Sequence, residues 1–209
     1  PEFWCEKGWK WKLANALNHP VYWRKANNEF GWEIRWFDTW QKIQPLTAVV
    51  NVSWFEANAY CRWAKRRLPS ELEWEVAASA IPTSDGKSIS DIKRHYPWGA
   101  VECQAHHAAF NGLTLGPVNV HAKAQGDSAF GCRQMLGNVW EWTSTTFSPY
   151  PGFVPDMYQD YSQPLFGKTK VLRGGCWATR SRLLRNTRRN YYGPDRNDVF
   201  AGFRTCAID

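Results

Sequence analysis

The residues here that are able to ligate metals, act as nucleophiles or hold anions are five histidines, six cysteines and a run of arginines. The histidines stand at 19, 95, 106, 107 and 121. Iron and zinc sites draw on ligands spaced to converge, as in HxxxH or HxE. His106 and His107 are adjacent, and neighbouring side chains on a strand point to opposite faces. No metal-binding triad is expected within this chain. The cysteines at 5, 61, 103, 132, 176 and 206 show no CxxC and no metal-type spacing. Cys61 falls in a predicted helix and Cys176 in a glycine-rich turn, so the set reads as reduced thiols of a cytoplasmic protein. From Val171 to Asp209 there are eight arginines and no lysine, and the only acids are Asp195, Asp198 and Asp209. Arginine in preference to lysine suits planar, bidentate pairing with carboxylates. Two uses fit that bias: internal pairs that brace the fold, and a site for an anionic ligand. The net charge of +7 allows nucleic-acid binding on charge alone. No helix-turn-helix, zinc-finger or RNP pattern accompanies it, so no nucleic-acid partner is expected.

The elements that must position these residues are punctuated by aromatic side chains. The chain of 209 residues carries 14 Trp, 8 Tyr and 11 Phe at a mean hydropathy of −0.55. A few large residues must therefore do much of the burial, in a chain long enough for one domain with a core of its own. Such a composition argues against disorder. No apolar run approaches 18 residues, so no membrane span is expected. Ser53 with Glu56, and Ser70 with Glu73, are capping boxes that predict helices over 54–66 and from 71 to about Ala80. Pro69 separates the two. Residues 81–95 read as a loop, YPWG at 96–99 as a turn, and 100–135 as turns and short strands. KVLRGG at 170–175 reads as a strand entering a glycine turn, and VFAGFRTCAI as a closing strand. Residues 1–45 are rich in tryptophan and show no period of 2 or 3.6.

Five islands in fixed order carry a resemblance: NVSWFEANAYCRWAKRRLPSELEWEVAA, YPWG, GNVWEWT at 137–143, VLRGGCW at 171–177 and AGFRTC at 201–206. Together they resemble the formylglycine-generating-enzyme/sulfatase-modifying domain family. That resemblance implies an α+β, C-type-lectin-like fold with little regular secondary structure. The chain is expected to be a single domain over 1–209 that begins inside the fold, after its first strands. The tail RNYYGPDRNDVFAGFRTC resembles the C-terminal domain of ergothioneine-type sulfoxide synthases and the related selenoneine synthases. In those enzymes an N-terminal helical domain supplies a histidine triad for Fe(II), and the sulfatase-modifying domain closes over it. The substrates are histidine betaine and a thiol or selenol donor.

The resemblance also implies roles for single residues. Asn190 and Tyr191 match positions that hold the betaine, and Tyr192 stands beside them. A quaternary ammonium cannot donate a hydrogen bond and is best held by ring faces, worth ~0.5–2 kcal/mol each; Tyr191 and Tyr192 are expected to offer two. Arg196 matches an arginine that binds the carboxylate of the thiol partner, a task suited to a bidentate fork. Tyr158 matches a tyrosine that donates a proton to iron-bound oxygen, with Tyr161 as the other candidate nearby. Gln134, Gly137, Val139 and Glu141 match a structural Ca²⁺ site; oxygen-only ligands suit that ion, although Gln134 replaces the usual Asn. The alternative use of Glu141 is pairing with an arginine. Formylglycine-generating oxidases bind copper through two cysteines, and the matching positions here are Thr179 and Leu184, which weakens that alternative. A third reading is a ligand-binding, lectin-like receptor of the retroelement-diversified kind, which varies surface residues in this same region.

Overall fold

The computed structural model describes residues 1–26 and 31–208; Asp209 lies outside them. The Trp-rich N-terminal stretch, which offered no period, forms helix α1 (Glu6–Ala14) and strands β1 (Trp23–Lys25), β2 (Trp32–Trp36) and β3 (Thr39–Lys42). These strands make an antiparallel sheet in the order β1-β2-β3. β2 does alternate, with Trp32, Ile34 and Trp36 on one face and Glu33 and Arg35 on the other, but five residues are too short a run to stand out in so Trp-rich a stretch. The two capping boxes form as expected. Ser53 starts α2 (Trp54–Trp63) and Ser70 starts α3 (Glu71–Ser79), each with both reciprocal bonds of the box present. Residues 100–135 contain turns and one short 3₁₀ segment, Ala124–Gly126, rather than the expected strands.

The second sheet takes its strands from the islands. GNVWEWT leads into β4 (Trp140–Thr146), KVLR is β5 (Lys170–Arg173), and β6 (Asn190–Tyr192) and β7 (Ala201–Gly202) complete the order β6-β5-β4-β7. The closing strand is thus far shorter than its apolar run. Pairing is antiparallel except between β4 and β7. The first two glycine islands meet directly: the Gly137 N–H donates to the Gly174 carbonyl at 2.8 Å. Both glycines have positive φ, and a Cβ would lie 2.2 Å from the Ala109 oxygen at Gly137 and 2.6 Å from the Met135 oxygen at Gly174. Only glycine allows that approach without moving backbone.

The tryptophans then tie the helices to this sheet. Trp142, fully buried, donates to the Val52 carbonyl at 2.8 Å, and Trp54 donates to Thr143 O at 2.9 Å. Burying an indole of this size contributes about 4–6 kcal/mol before entropy is counted. One core cluster gathers Trp140, Trp142, Leu172 and Trp177; the other gathers Trp74, Phe110, Met135 and Leu184. All six cysteines are free. Among the described residues no helix is long and apolar enough to cross a membrane.

Candidate functional site

The arginine-rich tail first serves the fold. Glu71, at the first turn of α3 where the helix dipole favours an anion, accepts from Arg173 Nη1 at 2.8 Å and from Arg189 Nε and Nη2 at 2.7 and 2.9 Å. Arg173 is fully buried and bonds Glu75 at 2.7 Å and the carbonyls of Asn186 and Thr187. Among the described residues its Nε has no partner. The Tyr150 hydroxyl lies 3.4 Å from Glu71, and burial together with that carboxylate raises its pKa.

Arg189 links this buried network to the surface. Its guanidinium sits 4.8 Å from the Phe147 ring centroid and 4.4 Å from that of Tyr150. Phe147 stacks on Tyr191 at 4.0 Å and 23°. The Tyr191 hydroxyl donates to the Tyr161 carbonyl at 2.5 Å, and the Tyr161 ring lies 5.2 Å from that of Tyr158. Burial raises the Tyr191 pKa, so the phenol keeps the proton it donates. The outer wall is open: Tyr158 is 62% and Tyr161 67% exposed, with Val154 and Met157 beside them in sequence. The Tyr191 hydroxyl thus bonds the backbone of the segment that carries the expected proton donor Tyr158.

Tyr192 does not join them. On β6 it faces away from Tyr191, as the alternation of a strand requires. It packs against the cluster of Trp142 and Leu172, with Arg196 5.2 Å over its ring. The two-ring cage of Tyr191 and Tyr192 is corrected accordingly: the ring that accompanies Tyr191 is Phe147. Asn190, whose Oδ1 accepts from the Tyr191 N–H at 2.9 Å, shares the strand face of Tyr192. Arg196 forms a bidentate pair with Asp198, at 2.6 and 2.9 Å. Phe147 and Arg189 were not singled out from sequence. The available signal was the apolar residue directly after GNVWEWTSTT, opposite the strand that carries Tyr191.

The residues matched to calcium do not fit the ion as placed. Glu141 receives Arg204 through Nε and Nη2, at 2.6 and 2.7 Å, and Trp74 Nε1 at 2.7 Å. Its charge is thus already compensated. Gln134 turns its amide nitrogen to Asn119 O and Ala122 O, and among the described residues its buried Oε1 has no partner. Iron fares no better here, since among the described residues no group of three or more His, Cys, Asp or Glu side chains is arranged to hold a metal. The adjacent histidines do not diverge, because they lie in a turn: His106 Nε2 and His107 Nε2 are 3.1 Å apart. Thr179 accepts from the Cys176 N–H at 2.9 Å, and Leu184 is buried. Neither supplies a thiol for copper.

Comparison with known proteins follows the same lines. The family model "Sulfatase-modifying factor enzyme 1-like domain" matches residues 5–208. Hercynine oxygenase of Mycobacterium tuberculosis is 42% identical over 206 residues, covering 97% of this chain and 45% of that protein. Formylglycine-generating enzyme of Streptomyces coelicolor is 35% identical over 178 residues, covering 79% of this chain and 54% of that one. The chain spans about half the length of these curated relatives. Among solved structures, PvdO from Pseudomonas aeruginosa superposes with a TM-score of 0.59 at 21% identity, over 95% of this chain and 75% of that one, a likeness of fold.

Proposed function

This chain belongs to the sulfatase-modifying factor enzyme 1-like domain family, and we propose that it is the substrate-facing part of an iron(II)- and O₂-dependent synthase. The reaction replaces the C2–H of the imidazole of histidine betaine with the sulfur of a thiol, or the selenium of a selenol; the two hydrogens lost leave as water with one oxygen atom of O₂, and the other oxygen atom oxidises the sulfur or selenium. Support comes from the hercynine oxygenases, since hercynine is histidine betaine and the chain is 42% identical to one of them. The observation that carries the reading is the Tyr191 ring, stacked on the buried Phe147 and bonded through its hydroxyl to the segment that exposes Tyr158 and Tyr161; such ring faces suit a trimethylammonium group.

Iron with dioxygen would supply the oxidation, and its ligands come from outside this chain, in a helical domain. The tasks left to the chain are binding, orientation and proton supply. The Tyr191 ring face, fixed between Phe147 and the Tyr161 carbonyl, holds the betaine. Asn190, on the opposite face of the strand, holds the Tyr191 backbone through its Oδ1 rather than touching the betaine. Tyr158 Oη, solvent-exposed in this chain, donates a proton at neutral pH, for which a phenol needs only correct placement. Arg196 takes the carboxylate of the thiol partner. The exposed wall is what the helical domain covers, excluding water from the reaction.

The test is metal analysis and turnover, with histidine betaine, a thiol and Fe(II) in air. The 209 residues alone are expected to bind no stoichiometric iron and to form no product; the same residues joined to a histidine-bearing helical domain are expected to form the C2-linked product. Full iron loading and turnover by the 209 residues would overturn this division of labour.

A further inference from the structure

The Arg196–Asp198 pair has the form that a bound carboxylate would have. Arg196 Nε–H and Nη2–H donate to the two oxygens of Asp198, at 2.6 and 2.9 Å, which is the side-on fork that recognises a ligand carboxylate. We infer that Asp198 is a latch: it fills the Arg196 fork until the carboxylate of the thiol co-substrate displaces it, and the freed side chain then turns to Arg35. This rests on the proposed role of Arg196.

The surroundings fit an exchange rather than a fixed brace. The side chains of Arg196 and Asp198 are 45% and 52% exposed, so water screens the pair and opening it costs little. Arg196 does not depend on Asp198 for its place: its guanidinium lies 5.2 Å over the Tyr192 ring, which is itself packed on the core. Asp198 has somewhere to go. With Tyr22, Arg35, Asn51 and Phe200 it lines a cavity of about 200 Å³. Across that cavity Arg35 stacks 4.9 Å over Tyr22 and has no carboxylate partner among the described residues. The backbone next to Asp198 is held, because Asn51 Nδ2 donates to Val199 O at 3.0 Å; only the side chain needs to rotate. The guanidinium bonded to Asp198 keeps its carboxyl below the usual range, so the latch is ionised at neutral pH.

A latch of this kind selects. A thiol that carries a carboxylate replaces one ion pair at Arg196 with another and allows a new one at Arg35. A thiol without a carboxylate has nothing with which to open the fork. The contrast with the other arginines is informative. Arg173, Arg189 and Arg204 hold acids whose side chains are at most 18% exposed, where release would strand a buried charge.

The test is NMR titration of the 209-residue protein with L-cysteine and with cysteamine, which lacks the carboxylate. Asp198→Asn is expected to tighten L-cysteine about two- to fivefold, the weight of an exposed ion pair, and to leave cysteamine unchanged. Arg35→Gln is expected to weaken L-cysteine when Asp198 is present and to have no effect in the Asp198→Asn background. General electrostatics would instead make the two substitutions additive. If Arg196→Gln abolishes L-cysteine binding but Asp198→Asn does not tighten it, the latch is overturned and the role of Arg196 stands. If Arg196→Gln leaves binding intact, or if L-cysteine binds to no variant, the role of Arg196 falls and the latch with it.

Discussion

Glu71→Gln is expected to be among the most damaging isosteric changes in the chain. Glu71 is 7% exposed and binds two guanidiniums, one of them on the fully buried Arg173. Glutamine keeps the size but loses the charge, and it turns an N–H₂ toward one of the arginines. Of its carboxylates Arg173 then retains only Glu75, and Arg189 loses its carboxylate partner. Breaking a buried pair in this way costs about 3–5 kcal/mol. At ~2–4 °C per kcal/mol for a domain of this size, the expected fall in Tm is on the order of 10 °C. Calorimetry with urea unfolding measures it. Glu73→Gln on the same helix is the control. Glu73 is 43% exposed on its side chain, and its pKa is held down to about 2 by its bonds to Arg67. Water screens that pair, and glutamine still completes the capping box. Its expected cost is under about 1 kcal/mol, within ~2–4 °C. Equal melting shifts for the two variants, or a Glu71→Gln shift below about 2 °C, would refute the argument that burial rather than pairing sets the weight of each carboxylate.

Further outcomes follow from single contacts. Gly137→Ala places a Cβ 2.2 Å from the Ala109 oxygen at φ +78, so it should cost about 3 kcal/mol or more and show as loss of cooperative melting. Ser53→Ala removes one capping-box bond from α2 and should cost ~1 kcal/mol by urea titration. His107 accepts the Gln104 N–H on Nδ1 at 3.3 Å, which places its proton on Nε2, facing His106. Burial first, then His106, lowers its pKa. The unfolded chain therefore binds the extra proton more readily, and stability falls as pH drops below about 6.5, the ordinary histidine value. His107→Phe should flatten the dependence of Tm on pH between 7 and 5; an unchanged slope counts against the pair. Tyr191→Phe keeps the stack on Phe147 but loses the bond to Tyr161 O, and should raise proteolytic cutting within 150–162 without shifting Tm by more than a few degrees, at about 1 kcal/mol.

What was legible in the sequence was local or family-wide. Both capping boxes are local, since each needs only four residues, and α2 and α3 begin where Ser53 and Ser70 place them. The glycine islands were legible as turns, although their meeting at Gly137 and Gly174 was not, because it spans 37 residues of chain. The N-terminal sheet escaped notice because its strands have only three to five residues, and the alternation of WEIRW in β2 is a single short run among scattered tryptophans. At the site, the positions Asn190, Tyr191 and Arg196 came from resemblance, and the separation of Tyr191 from Tyr192 came only with strand β6, which the sequence reading did not place. The partners that matter most, Glu71 for Arg189 and Phe147 for Tyr191, lie 118 and 44 residues away. Nothing in local sequence encodes such pairings. The histidines show the opposite failure: a strand rule was applied to residues that form a turn.

The account turns on whether the Tyr191 wall holds the quaternary ammonium of histidine betaine. NMR titration of the protein with histidine betaine and with histidine, in the wild type, Tyr191→Ala and Tyr192→Ala, tests it directly. The prediction is that histidine betaine shifts the ring signals of Tyr191, Phe147 and Tyr161 and binds more tightly than histidine. Tyr191→Ala should weaken it about tenfold, as expected for the loss of a ring face worth ~1–2 kcal/mol, while Tyr192→Ala, on the other face, should change it little. Equal binding of histidine, or betaine-induced shifts that avoid these rings and persist in Tyr191→Ala, would contradict it.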